Sequence, residues 1–313
     1  MSALKRLGLD ALSTSAGHIS TDQGQTRDAF GFKWAKRDTY EATSVQEMTR
    51  TWLMNRYCQG RPERLADWLA GPPKIILDAG CGAANSGLLF FNDHLDAHDY
   101  LGVDISASVE VARARFDEAD KPGDFLQADL MDLPLPEASV DFIFSEGVLH
   151  HTDDTGVAIQ RLARHLKPGG HFLFYVYAKK GHIREFVDDH VRAALAPMSD
   201  ADAWEALKPL TALGQALGEL DVAIDVPDDI DLLGIKKGTL PLQRFFYWNV
   251  AKAFYRPELT FDEMHHINFD WYRPLNCHRH TQDEIRAFCD AARLSIDHLA
   301  EEPAGLTVVA RRI

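Results

Sequence analysis

Between residues 74 and 177, short apolar runs alternate with stretches whose apolar positions recur at helical spacing. That alternation is the signature of βαβ units and a parallel sheet. It predicts strands over Lys74 to Asp78, Tyr100 to Asp104, Asp124 to Asp129, Asp141 to Ser145 and His171 to Tyr177. Val109, Val111, Ala112, Ala114 and Phe116 predict a helix between the second and third strands, and Val157, Ile159, Leu162, Ala163 and Leu166 predict a better one after the fourth. Lys167-Pro168-Gly169-Gly170 then supplies a helix stop and a turn. Near the end of the chain, Thr281-Gln282-Asp283-Glu284 reads as a capping box opening a helix. Ser295 to Leu299 and Leu306 to Ala310 follow as an antiparallel pair, parted by Pro303 and Gly305, that closes a sheet edge. The fold class expected is α/β, doubly wound, with seven mostly parallel strands.

Two segments break the alternation. Over Ile183 to Leu240, Val191, Ala194 and Leu195, then Leu207, Leu210, Leu213 and Leu217, suggest amphipathic helices in a stretch with twelve acidic and five basic residues. This is read as an inserted helical cap. The first seventy residues form another addition, with Phe30, Phe32, Trp34 and Tyr40 close together and a helix expected from Val45 to Tyr57. The organisation expected is an N-terminal extension over 1–70, a core over 71–180, the cap over 181–270 and completion of the core over 271–313.

At 313 residues, 46% hydrophobic and 26% charged, the chain has ordinary globular composition. Lys and Arg number 33 against 47 Asp and Glu, a formal net charge of −14. Such a surface repels phosphate backbones and anionic lipid, so neither nucleic acid nor a membrane is the expected partner. Cys58, Cys81, Cys277 and Cys289 form no C-x-x-C pair, which argues against a zinc site or a disulfide framework. Lys5, Arg6 and Asp10 interrupt what would be the apolar part of a signal peptide, and no run approaches the roughly 20 apolar residues of a membrane span. A cytoplasmic location is expected, and a homo-oligomer is compatible with the sequence.

The most informative stretch is Ile75-Ile76-Leu77-Asp78-Ala79-Gly80-Cys81-Gly82-Ala83-Ala84-Asn85-Ser86-Gly87. A strand ends in an acid and enters a turn where Gly80 and Gly82 let the backbone approach a ligand. Asn85 stands where a dinucleotide fingerprint needs its third glycine, so the pyrophosphate pattern fails. Asp78 instead suggests a carboxylate near a ligand ammonium.

This stretch resembles motif I of class I S-adenosylmethionine-dependent methyltransferases, apart from Ala84 where many members have glycine. Tyr100-Leu101-Gly102-Val103-Asp104-Ile105-Ser106 resembles their second motif, which puts Asp104 on the ribose hydroxyls with Ile105 beside it. Phe125 to Leu130 looks like the third, with Asp129 on the adenine amino group and Leu130 next to it. Phe142 to His151 looks like the fourth, where Ser145 lines the cofactor and His150 and His151 lie toward the acceptor. The resemblance implies S-adenosyl-L-methionine as cofactor and methyl transfer to a small-molecule O, N, C or S nucleophile by in-line displacement. His151 is the first candidate for a general base, with His150 as its diverging neighbour. Two alternatives stay open: other chemistry on the same cofactor, such as cyclisation, or a non-catalytic cofactor-binding protein.

No metal is expected. His265-His266 and Cys277-His278-Arg279-His280 lack the spacing of a shared ligand set, and adjacent residues on a strand point to opposite faces. His278 and His280, two apart, would share one side if extended and form a polar rim. Trp34, Tyr40, Trp271, Tyr272 and Arg273 are the remaining candidates for an acceptor pocket wall.

Overall fold

The computed structural model describes residues 2–9, 19–34 and 43–313. The chain divides into two compact units, one made of Met1–Ala178 with His278–Ile313 and the other of Lys179–Cys277.

The first unit is built on a seven-stranded sheet. Its strands are β1 (Ile75–Ala79), β2 (Asp99–Asp104), β3 (Asp124–Gln127), β4 (Val140–Glu146), β5 (Leu166–Tyr177), β8 (Leu294–Glu301) and β9 (Gly305–Arg312), in the order β3-β2-β1-β4-β5-β9-β8. The first five are parallel, while β9 runs antiparallel to both β5 and β8. Strand order therefore reverses between β1 and β4. In such sheets the crevice at the C-terminal strand ends, at that reversal, is where ligands bind.

Successive residues of β1 face opposite layers, and all five are buried. Ile75, Leu77 and Ala79 pack in a layer with α1 (Ala3–Leu7), α7 (Thr155–His165) and α12 (Gln282–Ala291), through residues such as Leu4, Ile159, Leu162 and Ile285. Ile76 faces the other layer, formed with α3 (Thr43–Cys58), α4 (Glu63–Leu69), α5 (Asn85–Phe91) and α6 (Ser108–Glu118). Leu53 and Tyr57 of α3 are wholly buried there, so the helix expected in an appended extension is part of the core itself. The capping box of α12 is present, with Thr281 and Glu284 each bonded to the other's backbone N–H.

The expected Lys-Pro-Gly-Gly turn takes another form. β5 begins directly after α7, and its pairing with β4 jumps from Val140↔Leu166 to Phe142↔His171. Residues 167–170 thus bulge out of a continuous strand, with Gly169 at φ 76 supplying the left-handed residue that the bulge requires.

The second unit holds α8 (His182–Leu195), α9 (Asp200–Glu219), the hairpin β6 (Ala223–Val226) and β7 (Gly238–Pro241), α10 (Leu242–Asn249) and α11 (Phe261–Tyr272). Its helices agree with the amphipathic pattern; the hairpin was not expected, because its strands are four residues each and largely exposed. The unit runs past the expected boundary at 270 to Cys277, because α11 continues through Trp271 and Tyr272. His265 and His266 lie on this helix, not on a strand, and both rings pack edge-on against Trp204, at 4.3 and 4.7 Å between centroids. No group of three or more metal-ligating side chains occurs among the described residues. No described helix is long and apolar enough to cross a membrane.

Candidate active site

The turn after β1 is fastened to the end of β2. Gly80 and Cys81 both donate their backbone N–H to the Val103 carbonyl, at 2.7 and 2.9 Å. Gly80 has φ 82, and a Cβ there would lie 2.2 Å from Val148 Cγ1, so both conformation and space exclude a side chain. Gly82 (φ 52) donates its N–H to Asp104 Oδ2 at 2.9 Å. Asp104 Oδ1 accepts from Ser106 N at 2.8 Å and from Ser106 Oγ at 2.7 Å. A carboxylate offers about four lone-pair sites. With two bonds at Oδ1 and one at Oδ2, Asp104 is locked in orientation and keeps an acceptor position at Oδ2 for one further hydroxyl.

Ala84 stands at the start of α5 with φ 56, a conformation that disfavours any Cβ by about 1–2 kcal/mol. The glycine common in the resembled motif would relieve this; the wholly buried methyl supplies a compensating contact. Around the next strand end, Gln127 Nε2 donates to the Ile105 carbonyl at 3.1 Å. Asp129 Oδ1 caps the single turn Leu130–Asp132 by accepting from Met131 N at 2.9 Å. Burial raises the Asp129 carboxyl pKa, against that bond, and Leu130 is buried beside it.

Asp78 is buried and accepts a hydrogen bond from the Tyr100 hydroxyl. Gly87 of α5 sits directly above this pair, where a Cβ would come within 2.3 Å of both Asp78 Oδ2 and Tyr100 OH. Burial pushes the Asp78 carboxyl up to about 7; the Tyr100 bond opposes this, while Asp104 and Glu146 add to it. The unfolded chain releases this proton near its ordinary 3.8 and the folded chain keeps it until about 7, so Asp78 erodes stability as pH rises through that window. The loss levels off above pH 7. Denaturant midpoints measured from pH 4 to 8 should therefore show Asp78→Asn gaining on wild type as pH rises; a constant difference would mean that Asp78 is ionised throughout.

At the end of β4, Ser145 is wholly buried and donates its hydroxyl to the Ala79 carbonyl at 2.8 Å, tying β4 to β1. Glu146 accepts from Arg56 Nη1 at 2.6 Å and from the Tyr57 hydroxyl. Burial raises the Glu146 carboxyl pKa, opposed chiefly by Arg56 and by the Tyr57 bond. The Arg56 guanidinium also reaches Glu302 Oε2 at 3.3 Å and lies 3.8 Å from the Tyr175 ring centroid.

His150 and His151 follow in the turn Leu149–His151, at 0% and 5% exposure. They do not diverge as expected. Their rings lie 4.2 Å apart between centroids, and both pack on Tyr177, at 3.8 and 5.6 Å. His151 also meets Phe30 edge-on at 5.0 Å. A tight single turn replaces the alternation a strand would impose, which is why the neighbours share a side. His278 comes to the same turn: its N–H donates to the His150 carbonyl at 2.8 Å, and its Nε2 to the Thr152 carbonyl at 3.0 Å.

Asp78, Gly80, Gly82, Asp104, Ile105, Asp129, Leu130, Ser145, His150, His151 and His278 thus all belong to the first unit, and all but His278 lie at or just beyond the C-terminal ends of β1 to β4. Trp34 closes α2 (Thr21–Trp34), and Tyr40 lies outside the described residues. Trp271, Tyr272 and Arg273 are buried in the second unit with their polar atoms engaged there. Trp271 Nε1 and Tyr272 OH donate to Asp188 at 2.8 and 2.9 Å, and Arg273 Nε donates to Asp200 at 2.6 Å. Arg56, Tyr57 and Tyr100 were not anticipated. Only Tyr100 carried a local signal, a hydroxyl inside an otherwise apolar strand that must find a partner.

Residues 77–174 match the family described as a methyltransferase domain. That segment of the chain is thus similar to methyltransferase domains. The methyltransferase domain is 37% identical over 97 residues to O-methyltransferase rstn1 of Aspergillus nomiae, covering 30% of this chain and 42% of that protein. It is 37% identical over 117 residues to the 27-O-demethylrifamycin SV methyltransferase of Amycolatopsis mediterranei, covering 34% and 42%. It is 35% identical over 118 residues to the probable tRNA methyltransferase 9B of Homo sapiens, covering 37% and 24%. The chain spans less than half the length of these curated relatives. Among solved structures, the geranyl diphosphate C-methyltransferase of Streptomyces coelicolor aligns over 95% of this chain and 100% of its own, with TM-score 0.50 and 12% identity, a likeness of fold alone.

Proposed function

We propose that this protein transfers the methyl group of S-adenosyl-L-methionine to a small-molecule nucleophile. The observation that carries the reading is the oriented Asp104 carboxylate beside a glycine turn that no side chain can fill. The residues fit the cofactor: Asp104 offers its Oδ2 position to a ribose hydroxyl, Asp129 offers a carboxylate to the adenine amino group, and Gly80 and Gly82 keep the backbone open between them. Asp78, poised near pH 7, takes its full negative charge once a ligand ammonium lies nearby. The cofactor, when bound, supplies a sulfonium methyl already activated for displacement. The chain's own work is then alignment of the acceptor and exclusion of water. Where the acceptor must lose a proton, His151 is the proposed base, since imidazole is the side chain that exchanges protons most readily near neutral pH.

The named relatives include both small-molecule and tRNA enzymes, so the shared segment does not choose the acceptor class. The net charge of −14 does bear on it, because a polyanion would be repelled. Asp104→Ala should weaken S-adenosylhomocysteine binding by about 1.5–3 kcal/mol, a rise in Kd of roughly ten- to a hundredfold. Asp104→Asn, which keeps one oxygen acceptor, should lose less. Calorimetric titration checks both, and an unchanged Kd in folded Asp104→Ala would remove this residue from the site.

A further inference from the structure

The first unit has a second concavity, at the other end of its strands from the glycine turn. α7 passes directly into β5, where Leu166 pairs with Val140 at the start of β4. α12 leads through Arg293 into β8, where Leu294 pairs with Arg312 at the end of β9. Because β9 is antiparallel to both its neighbours, these ends all fall on the edge where the parallel strands begin, opposite the edge that carries Asp78 and Asp104. A cavity of about 480 Å³ lies there between the C-terminal ends of α7 and α12. Small side chains such as Ala163 and Ala292 line it together with four arginines, Arg161, Arg164, Arg293 and Arg312. Among the described residues, no acidic side chain lines it.

Four like charges in one cavity are the reverse of the chain's average, a net charge of −14. Two of them have local work. Arg312 Nη1 donates to the Arg164 carbonyl at 2.7 Å and to the Leu166 carbonyl, closing the end of α7, and Arg161 Nη1 donates to the Met131 carbonyl. The exposed side chains of Arg164 and Arg293 make no hydrogen bond among the described residues. None of the four guanidiniums lies within 4.0 Å of a described carboxylate. Asp290, one turn before Arg293, is exposed and outside that reach, and Asp129 feels Arg161 more weakly than it feels Asp153 and Asp132. The end of α7 attracts cations with about half a charge, which does not balance four. Arg293 also holds the left-handed conformation (φ 55) just past α12, where glycine is the usual residue, so an arginine is kept there against backbone preference.

We propose that this cavity binds a small molecule carrying several oxyanion charges, a diphosphate or a polycarboxylate. Guanidinium forks pair with phosphate and carboxylate oxygens through two parallel hydrogen bonds. Arg164 and Arg293 keep their side-chain donors for that purpose, and Arg161 and Arg312 supply two further charges. The volume falls within the roughly 300–1,000 Å³ of small-molecule sites. The site lies at the opposite edge from the proposed cofactor turn and holds whether or not the protein transfers methyl groups.

The test titrates pyrophosphate and, separately, citrate into the intact protein by calorimetry, at ionic strength held constant with chloride. Saturable one-to-one binding of at least one is expected, and the tighter of the two distinguishes phosphoryl from carboxylate chemistry. The double variant Arg164→Gln with Arg293→Gln should keep its fold, since neither side chain bonds to the protein, and should bind about tenfold more weakly or worse. Arg293→Gly should melt at or above the wild-type temperature, because it relieves the left-handed backbone, and still bind more weakly. Arg286→Gln, on the same helix but outside the cavity, should bind as wild type does. Saturating S-adenosylhomocysteine should leave the affinity within about twofold. The proposal is overturned by absence of saturable binding of both anions, or by undiminished binding in the folded double variant or in Arg293→Gly. Equal loss in Arg286→Gln would reduce the effect to overall charge, and competition with S-adenosylhomocysteine would put the anion at the cofactor turn; either result also overturns it.

Discussion

Arg56→Ala is expected to destabilise the first unit by about 3–5 kcal/mol, since removing one partner of a buried ion pair leaves the other charge uncompensated. The side chains of Arg56 and Glu146 are 2% and 10% exposed, and the same guanidinium packs on Tyr175. In a domain of this size each kcal/mol corresponds to roughly 2–4 °C, so the melting temperature should fall by on the order of 10 °C. Replacing both partners, with Arg56→Met and Glu146→Gln, should recover part of the loss, because no buried charge then lacks its counterpart. Chemical denaturation of the single and double variants measures the coupling directly. A loss under about 1 kcal/mol in Arg56→Ala would place the pair in the energetic class of exposed ion pairs. The consequence reaches the site, since Glu146 lies between Ser145 and the histidine turn and anchors that turn to α3.

A second large effect is expected at His151, on the reading of it as the base. His151→Ala should lower kcat about a hundredfold or more, within the usual range for loss of general base catalysis. Affinity for S-adenosylhomocysteine should stay within a few-fold of wild type, and the residual rate should rise with pH as the acceptor deprotonates in solution. His150→Ala is the comparison, with an added readout, because the two rings lie against each other and His150 is the more deeply buried. Its removal opens a cavity under Tyr177 and should be felt in unfolding free energy before it is felt in rate. Small kcat losses at both positions would leave a base-free transfer driven by alignment alone.

The proposed cofactor half of the site was legible because its residues fall at the ends of successive predicted strands. The turn Gly80-Cys81-Gly82 and Asp104 each sit at the end of a predicted strand, and parallel strands bring those ends to one edge whatever the side chains around them. The acceptor half was not legible in the same way. Trp271, Tyr272 and Arg273 looked like pocket aromatics and an available cation, yet their polar atoms are consumed by Asp188 and Asp200, which lie 70 to 85 residues earlier in the chain. No local pattern announces a partner at that separation.

Periodicity determined the strands of the large sheet, the helices α6 and α7 and the antiparallel closing pair, because a period of two or of 3.6 residues is imposed by backbone geometry and survives in any tertiary setting. The glycine turn belongs with them, since its positive φ values are a local demand on residue type. What only the tertiary structure decided was the fate of polar groups removed from water. Asp78 became a carboxyl poised near 7 under Gly87 and Tyr100, Glu146 became the anchor of α3, and the histidine pair came to lie together on Tyr177. A buried charge or imidazole takes its role from whichever group desolvates it and whichever group pairs with it, and those groups are brought together by packing between segments distant in sequence.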